Sequence, residues 1–232
     1  WYRDDNPLAG YTSASCVIEN LSVKTDGYTF KVEVTDSSGT AYSATCAVTV
    51  SKATPAYTAP SSLTATYGDM LSSVSLPGAS DGTWSWENGN VTVGNAGTNN
   101  FNAVFTPADS VNYSTATVSV PVSVGRATPA IAFTGDARTQ TWTFTGGSPT
   151  ITPPTVTLVN GEVYDPQIHG AIAYSYVAAD AEAGTELTSG LPTQMGTYTL
   201  YAGIPESDNY TAATTGAENA CSLTIREVQL TG

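Results

Sequence analysis

The chain has 232 residues, of which only 12% are charged, and its 20 acidic and 7 basic side chains leave a formal net charge of −13. Such a surface repels phosphate backbones and anionic lipid, which disfavours nucleic-acid and membrane-surface binding. No run approaches the ~18 continuous apolar residues of a membrane-crossing helix. Gly, Pro, Thr and Ser are abundant, and Val, Tyr and Thr fill the apolar and semi-apolar positions, which is the chemistry of strands and turns. No charged start followed by an apolar core marks a signal peptide. The opening WYRDDN, without Met, is expected to derive from a longer precursor or a trimmed start.

In chain order, SCVIENLSV (15–23) predicts a first strand. Tyr28, Phe30, Val32 and Val34 then alternate with polar residues, as in a half-buried strand. TDSSGT (35–40) predicts a hairpin turn with Gly39 where positive φ is tolerated. Tyr42, Ala44, Cys46, Val48 and Val50 form the returning strand. Between 53 and 126 the strand-like runs are 63–71, 72–77, 84–93, 98–107 and 115–124, separated by the turn clusters GASDG and VGNAG. Their core is expected from Trp84, Trp86, Phe101, Val104 or Phe105, and Val118, Val120 and Val122. Beyond 127 the runs are 130–135, 141–146, 154–161, 171–178, 196–205 and 221–230. AADAEAGTEL (178–187) is compatible with a single helical turn or a loop.

Two phrases recur in phase. SKATPA at 51–56 and GRATPA at 125–130 each follow a Val-rich alternating run. GTNNFNAVFTPADSVNYST (97–115) matches GTYTLYAGIPESDNYTA (196–212) in its Gly-Thr, its alternating strand, its Pro and its closing Asn-Tyr. Repetition at fixed phase to a strand marks the join between like units. The offset is 74 at Ala53 and Ala127 but 99 at Gly97 and Gly196, so the last stretch holds about 25 additional residues, room for a hairpin or long loop. No Gly/Ser linker lies at either join, and Pro55 and Pro129 fix φ there, so short, stiff seams are expected. Tyr113 and Tyr210 are expected under a turn, with Asn112 and Asn209 bonding the turn backbone.

The Asp26-x-Tyr28-x-Phe30 stretch and its returning hairpin resemble the second half of an immunoglobulin-like domain. In that family Asp-x-Tyr-x-Cys builds a tyrosine corner whose hydroxyl ties the strand start to the backbone. Phe30 stands at the family's Cys position, so the inter-sheet disulfide would be absent, and Trp1 falls where the core Trp belongs. The resemblance therefore implies that residues 1–52 are an incomplete unit with an exposed edge or open core. Across most of 51–232, the pattern ATP…YG…W…VGNAGT…FTPADSVNY resembles the tandem immunoglobulin-like repeats of bacterial cell-surface, adhesin-type proteins. The expectation is an all-β chain of three tandem immunoglobulin-like β-sandwich units in an elongated array: a partial domain at 1–52, a repeat at 53–126, and a larger repeat at 127–232. The likeness implies extracellular display, adhesion or spacing, with a host surface protein or glycan as partner, and no chemistry.

The residues themselves point the same way. The single His169 lies in YDPQIHG without a G-x-S-x-G elbow and reads as a satisfied surface or loop residue. Three Cys and one His are too scattered for zinc. Asp180 with Glu182, and Glu206 with Asp208, read as solvated loop charge rather than a glycosidase pair. RDDN (3–6) and ESDN (206–209) gather oxygens but lack the spaced calcium loop. Cys16 and Cys46, 30 residues apart on two expected strands, are open to a disulfide unless they face outward on opposite sheets, and the preferred reading is free, buried thiols; Cys221 has no partner in its own unit. Lys31 is expected to point outward, Lys52 lies at an edge, and no Lys follows Arg126, which disfavours Lys–Asn cross-links. Tyr164, Tyr174, Tyr176, Tyr198 and Tyr201 read as core and cross-strand packing rather than a sugar platform. No catalytic, cofactor-binding or metal residue is assigned, and no cofactor. The reading is a non-enzymatic extracellular spacer or adhesion region of a bacterial surface protein. The alternatives are a glycan- or protein-binding module in the last stretch, or an accessory region of a secreted glycan-degrading enzyme.

Overall fold

A computed structural model describes residues Trp1–Glu227. Its strands form where β-branched and aromatic residues alternate with hydroxyls, and Pro, Gly and Asn end them. Residues 1–52 carry β1 (Tyr2–Arg3), β2 (Asn6–Pro7), β3 (Thr29–Lys31), β4 (Glu33–Asp36), β5 (Gly39–Tyr42) and β6 (Cys46–Ala47). Residues 53–126 carry β7 (Leu63–Thr66), β8 (Gly82–Trp86), β9 (Gly97–Pro107) and β10 (Ala116–Gly125). Next come β11 (Ala130–Ala132), β12 (Thr139–Thr143), β13 (Thr155–Thr157) and the one-turn helix α1 (Pro166–His169). The last strands are β14 (Ala173–Ala178), β15 (Thr188–Ser189), β16 (Gly196–Ile204), β17 (Ala213–Thr214) and β18 (Cys221–Arg226). The chain is all-β with several sheets, as its composition predicts. Residues 228–230 of the last predicted strand lie outside the described residues.

The described chain forms two compact units. The first comprises Trp1–Ser61, Ser75–Gly89 and Asn100–Val120; the second comprises Ser62–Val74, Asn90–Asn99 and the residues from Pro121 on. Strands β9 and β10 therefore run from one into the other.

In the first unit, β2, β1, β3 and β6 form an antiparallel sheet in that order, and β4 and β5 form a separate hairpin. Phe30 is the one large apolar side chain buried within 1–52, whereas Val17, Val34 and Tyr42 are exposed. β8 pairs antiparallel with β9, setting Trp84 opposite Phe105. Their rings lie 5.1 Å apart, and Tyr57 packs edge-on against Trp84 at 5.4 Å. The core choice between Val104 and Phe105 falls to Phe105, which is fully buried beside Ala103.

The second unit repeats one device. β7 runs parallel to the end of β10, from Leu63 opposite Val122 to Thr66 opposite Gly125. β12 likewise runs parallel to β18, from Thr139 opposite Ser222 to Thr143 opposite Arg226. The larger sheet has the order β12, β18, β16, β14, β15, with β17 on β16, and β11 pairs antiparallel with β13. Phe133, Leu200, Cys221, Leu223 and Ile225 form the core between them. Tyr164, Tyr174, Tyr176 and Tyr198 pack against it, as the strand reading expects, and Tyr176 meets Tyr198 at 5.3 Å. The additional residues of this stretch include α1 and the β14–β15 hairpin.

Several local expectations fail for identifiable reasons. Residues 15–23 form no strand: Asn20 adopts φ 57°, and Ser22 caps a 3-10 turn at Val23–Thr25 through reciprocal bonds with Thr25. The 28–34 strand breaks at Val32, whose N–H donates to the Ser43 hydroxyl at 2.8 Å, so β3 and β4 enter different sheets. Residues 72–77 form no strand, since a 3-10 turn occupies Leu71–Ser73; of the two readings of 178–187, helical turn or loop, the loop holds. The Asp26 carboxylate accepts the Val50 N–H at 2.9 Å, but the Tyr28 ring lies under the Arg3 guanidinium at 4.8 Å instead of tying a backbone group. Trp1 is half-buried and donates to the Ser13 carbonyl, outside any core. The cysteines are free, yet Cys46 is exposed and Cys16 only half-buried; Cys221 is buried, which pushes its thiol pKa up. Lys31 does not point freely outward: it lies 4.8 Å over the Tyr42 ring and pairs with Asp5 at 2.5 Å.

Gly82 shows how close the first unit's packing is. A Cβ there would overlap the Thr106 carbonyl oxygen and the Phe105 ring. The expected outcome for Gly82→Ala is a loss of about 1–3 kcal/mol, read as a lower urea midpoint with unchanged slope.

Candidate functional site

The two recurring phrases of the sequence bind each other, and they do so twice. In the first unit, Ala53 bridges Tyr113 in parallel: its N–H donates to the Asn112 carbonyl at 2.8 Å, and its carbonyl accepts the Ser114 N–H at 3.0 Å. In the second unit, Ala127 bridges Tyr210 identically, donating to the Asn209 carbonyl at 3.0 Å and accepting from Thr211 at 2.9 Å. The preceding basic residue follows suit. Lys52 Nζ donates to the Ser110 carbonyl at 2.7 Å; Arg126 Nε donates to the Asp208 carbonyl at 3.3 Å, and its guanidinium pairs with Glu206 at 2.7 Å. Exposed pairs of this kind add at most ~1 kcal/mol each. The specificity therefore lies in the backbone bridge, which the proline following each Ala-Thr confines to two bonds.

The asparagine side chains reach further back along the sequence. Asn112 Oδ1 accepts the N–H of Val23 at 3.1 Å, in the 1–52 stretch. Asn209 Oδ1 accepts the N–H of Ala96 at 2.9 Å, in the VGNAG turn, while its Nδ2 donates to Asn95 Oδ1 at 3.2 Å. Each Asn Oδ1 thus accepts from a backbone amide of the stretch before its own Ala-Thr-Pro rather than bonding the turn backbone, as the sequence suggested, although Asn112 Nδ2 also donates to the Asp109 carboxylate at 2.8 Å. The turn amides are held instead by Asp109, which accepts from Val111 and Asn112.

The two tyrosines differ. Tyr113 is 39% exposed, whereas Tyr210 is 2% exposed and anchors a polar cluster. Its hydroxyl donates to Glu162 Oε2 at 2.6 Å, and that oxygen also accepts from Tyr67 at 3.2 Å. His169 Nε2 lies 3.1 Å from Glu162 Oε1. A carboxylate oxygen can only accept, so Nε2 carries a proton towards Glu162, while Nδ1 lies 3.0 Å from the Asp165 N–H and 3.1 Å from the Asp165 carbonyl. The imidazole stacks on Tyr164 at 5.7 Å and meets Tyr210 edge-on at 5.6 Å. Asp165 caps α1 through the Gln167 N–H, with Pro166 at the first helical position, and so delivers His169 inward. Asn160 Nδ2 donates to the Gly68 carbonyl at 2.7 Å. Gly68 sits at φ 97°, and a Cβ on it would come within 2.6 Å of Val159 Cγ2, so only glycine permits this approach.

His169 is therefore a buried residue and not the surface or loop His its context suggested. Tyr210, assisted by His169 and Tyr67, holds the Glu162 carboxyl below its ordinary value against the burial that pushes it up. Burial and the facing carboxylate push the Tyr210 hydroxyl well up and raise that of Tyr67. Each acceptor in this cluster already has a donor, and the cavity beside it is about 80 Å³, below the few hundred of a small-molecule site. The arrangement is a hydrogen-bonded lock. No spacing rule joins Tyr67, Glu162, His169 and Tyr210, which is why the sequence did not reveal it.

Other candidates separate. Glu206 pairs with Arg126 rather than with Asp208. Asp4 and Asp5 are the two turn residues between β1 and β2, at φ 49° and 64°; Asp4 caps Thr29 and Asp5 pairs with Lys31. Among the described residues no cluster of three or more His, Cys, Asp or Glu is placed to hold a metal ion. No described helix is long and apolar enough to cross a membrane.

No protein-family model matches the chain, and no curated protein is significantly similar to it. Among solved structures it is weakly similar to Drosophila N-cadherin EC1-4, with a TM-score of 0.24 and 11% identity over 72% of this chain and 47% of that one. The chain thus spans about half the length of that cadherin fragment.

Folding lowers the Glu162 pKa, so its ionised form stabilises the protein above the ordinary value near 4.5, and this contribution vanishes as pH falls through the lower folded value. Glu162→Gln is expected to cost about 1 kcal/mol at pH 7, the carboxylate being part-exposed, and to shrink the stability lost on acidification below that value. Urea midpoints of both proteins at the two pH values measure it.

Proposed function

We propose that the chain is a non-catalytic, extracellular spacer and adhesion region of a bacterial surface protein, built from tandem immunoglobulin-like modules joined at Lys52 and Arg126. The supporting observation is that both joins use the same parts in the same roles. A basic residue reaches a turn carbonyl, an alanine bridges the Asn-Tyr, and the Asn bonds the preceding stretch. A region selected to transmit position between its ends needs such bonded joins, whereas independent binding domains on a string do not. The sequence resemblance to tandem repeats of bacterial cell-surface proteins supports the same reading, with a host surface protein or glycan as the partner of the larger protein.

Trypsin tests the stiffness this function requires, because it cleaves after Lys and Arg. The native protein is expected to resist cleavage at Lys52 and Arg126 while the urea-unfolded chain is cut at both. Rapid release of fragments beginning at Ala53 and Ala127 from the native protein would contradict the spacer role. Screening the labelled chain on an array of glycans and extracellular-matrix proteins tests the alternative, and a ligand whose binding survives removal of residues 1–52 but is abolished by deleting the β14–β15 loop would favour it.

A further inference from the structure

Beside the first join, the first unit contains a groove in two connected lobes of about 440 and 570 Å³. One wall is the extended segment following Ala-Thr-Pro, the other is Gly78–Asp81, and Phe105 lies in both lobes, with Tyr113 closing one end. The wall segment is pinned at both ends by the buried Pro55 and Pro60, while Ala56, Tyr57 and Thr58 between them are exposed. Among the described residues, no main-chain group bonds the backbone of Ala56–Thr58.

The second unit shows what belongs at such a position. Ala130–Ala132 follows its own Ala-Thr-Pro at the same phase as Ala56–Thr58, and there the segment is β11, paired antiparallel along its length with β13. In the first unit Ala56–Thr58 has no such strand beside it, and the groove lies between it and the facing wall, Gly78–Asp81. A free strand edge with a strand-filled counterpart in the same chain is an acceptor for an extended segment: main-chain bonds supply affinity and alternate side chains enter the pocket. The edge has no lysine or bulge to discourage pairing, and its two prolines limit it to a short segment. The rim carries Asp81, whose carboxylate accepts from the Ser80 hydroxyl at 2.9 Å and pairs with no cation among the described residues. A chain of net charge −13 is a poor complement to this rim, which argues against a second copy and for a basic occupant.

We propose that this groove is a strand-acceptor site, which binds a short, extended, basic peptide segment of another protein edge-on to the main chain of Ala56–Thr58. The proposal is independent of the spacer reading, since a spacer with an empty groove and a strand acceptor with flexible joins are both conceivable. The probe is a fluorescein-labelled peptide of alternating valine and threonine with an arginine at each end, titrated into the whole isotope-labelled chain. Binding is expected, with amide resonances shifting at 56–58 and 78–81. Ala56→Trp, an exposed position that fills the groove, is expected to weaken it about tenfold or more, with an unchanged melting temperature showing the fold intact. N-methylation of alternate peptide amides is expected to weaken it as much. Asp81→Asn is expected to remove most of the salt dependence. No binding by the probe, equal binding by its N-methylated form or to Ala56→Trp, or resonance shifts outside the groove would overturn the proposal. So would shifts at 56–58 caused by an oligosaccharide such as chitohexaose in the absence of any with the peptide.

Discussion

Two main-chain hydrogen bonds, made once by Ala53 and once by Ala127, hold the rest of the architecture in register. Each clamps an Ala-Thr-Pro segment to a later Asn-Tyr turn, so the extended segment that follows cannot slide relative to that turn. Proline directly after Ala-Thr stops the bridge from extending into a longer ladder, because it removes the next donor but one and fixes φ. Because the turn is fixed, its Asn side chain always faces the same way, towards a backbone amide of the preceding stretch. The bridge and the Asn together form a bonded contact made entirely of neutral groups, which salt does not screen.

The second join adds a layer the first lacks. Tyr210 is buried because Glu162, Tyr67 and His169 satisfy its hydroxyl and cover its ring. Tyr113 has no such carboxylate and lies at the mouth of a groove instead. One tyrosine in one motif thus has two fates, decided by what the intervening segment supplies: α1 and its cap beside Tyr210, a groove beside Tyr113. An acidic, partly buried centre at one join also ties the fold to pH through Glu162, whose ionised form is the one its three donors require.

Much of this was legible in sequence, and the limits have physical causes. The long alternating runs at 98–107 and 115–124 became β9 and β10, since period-two patterning over ten residues has few alternatives. Short runs failed where a side chain competed for the backbone: Ser22 and Thr25 turned the expected strand at 15–23 into a capped 3-10 turn. The Ala-Thr-Pro and Asn-Tyr phrases stood out by their recurrence, but not as partners, because 60 and 83 residues separate the halves of the two bridges and no local rule connects them. His169 was misplaced on the surface for the same reason: its carboxylate lies nearby in sequence, but Tyr210, which shields it, does not. The groove was invisible altogether, since it is defined by a strand pairing that the sequence pattern permits and the first unit does not make.

The asparagines offer the most direct test of the joins. Native-state amide exchange should be followed in the wild type and in Asn112→Ala, Asn209→Ala and the double variant. The account predicts faster exchange of the Val23 amide in the first, of the Ala96 amide in the second and of both in the third, by about five- to tenfold, with core amides of β9 and β16 unchanged. Unaltered protection at Val23 and Ala96 would show that these side chains hold nothing together, and the bonded join would have to be abandoned.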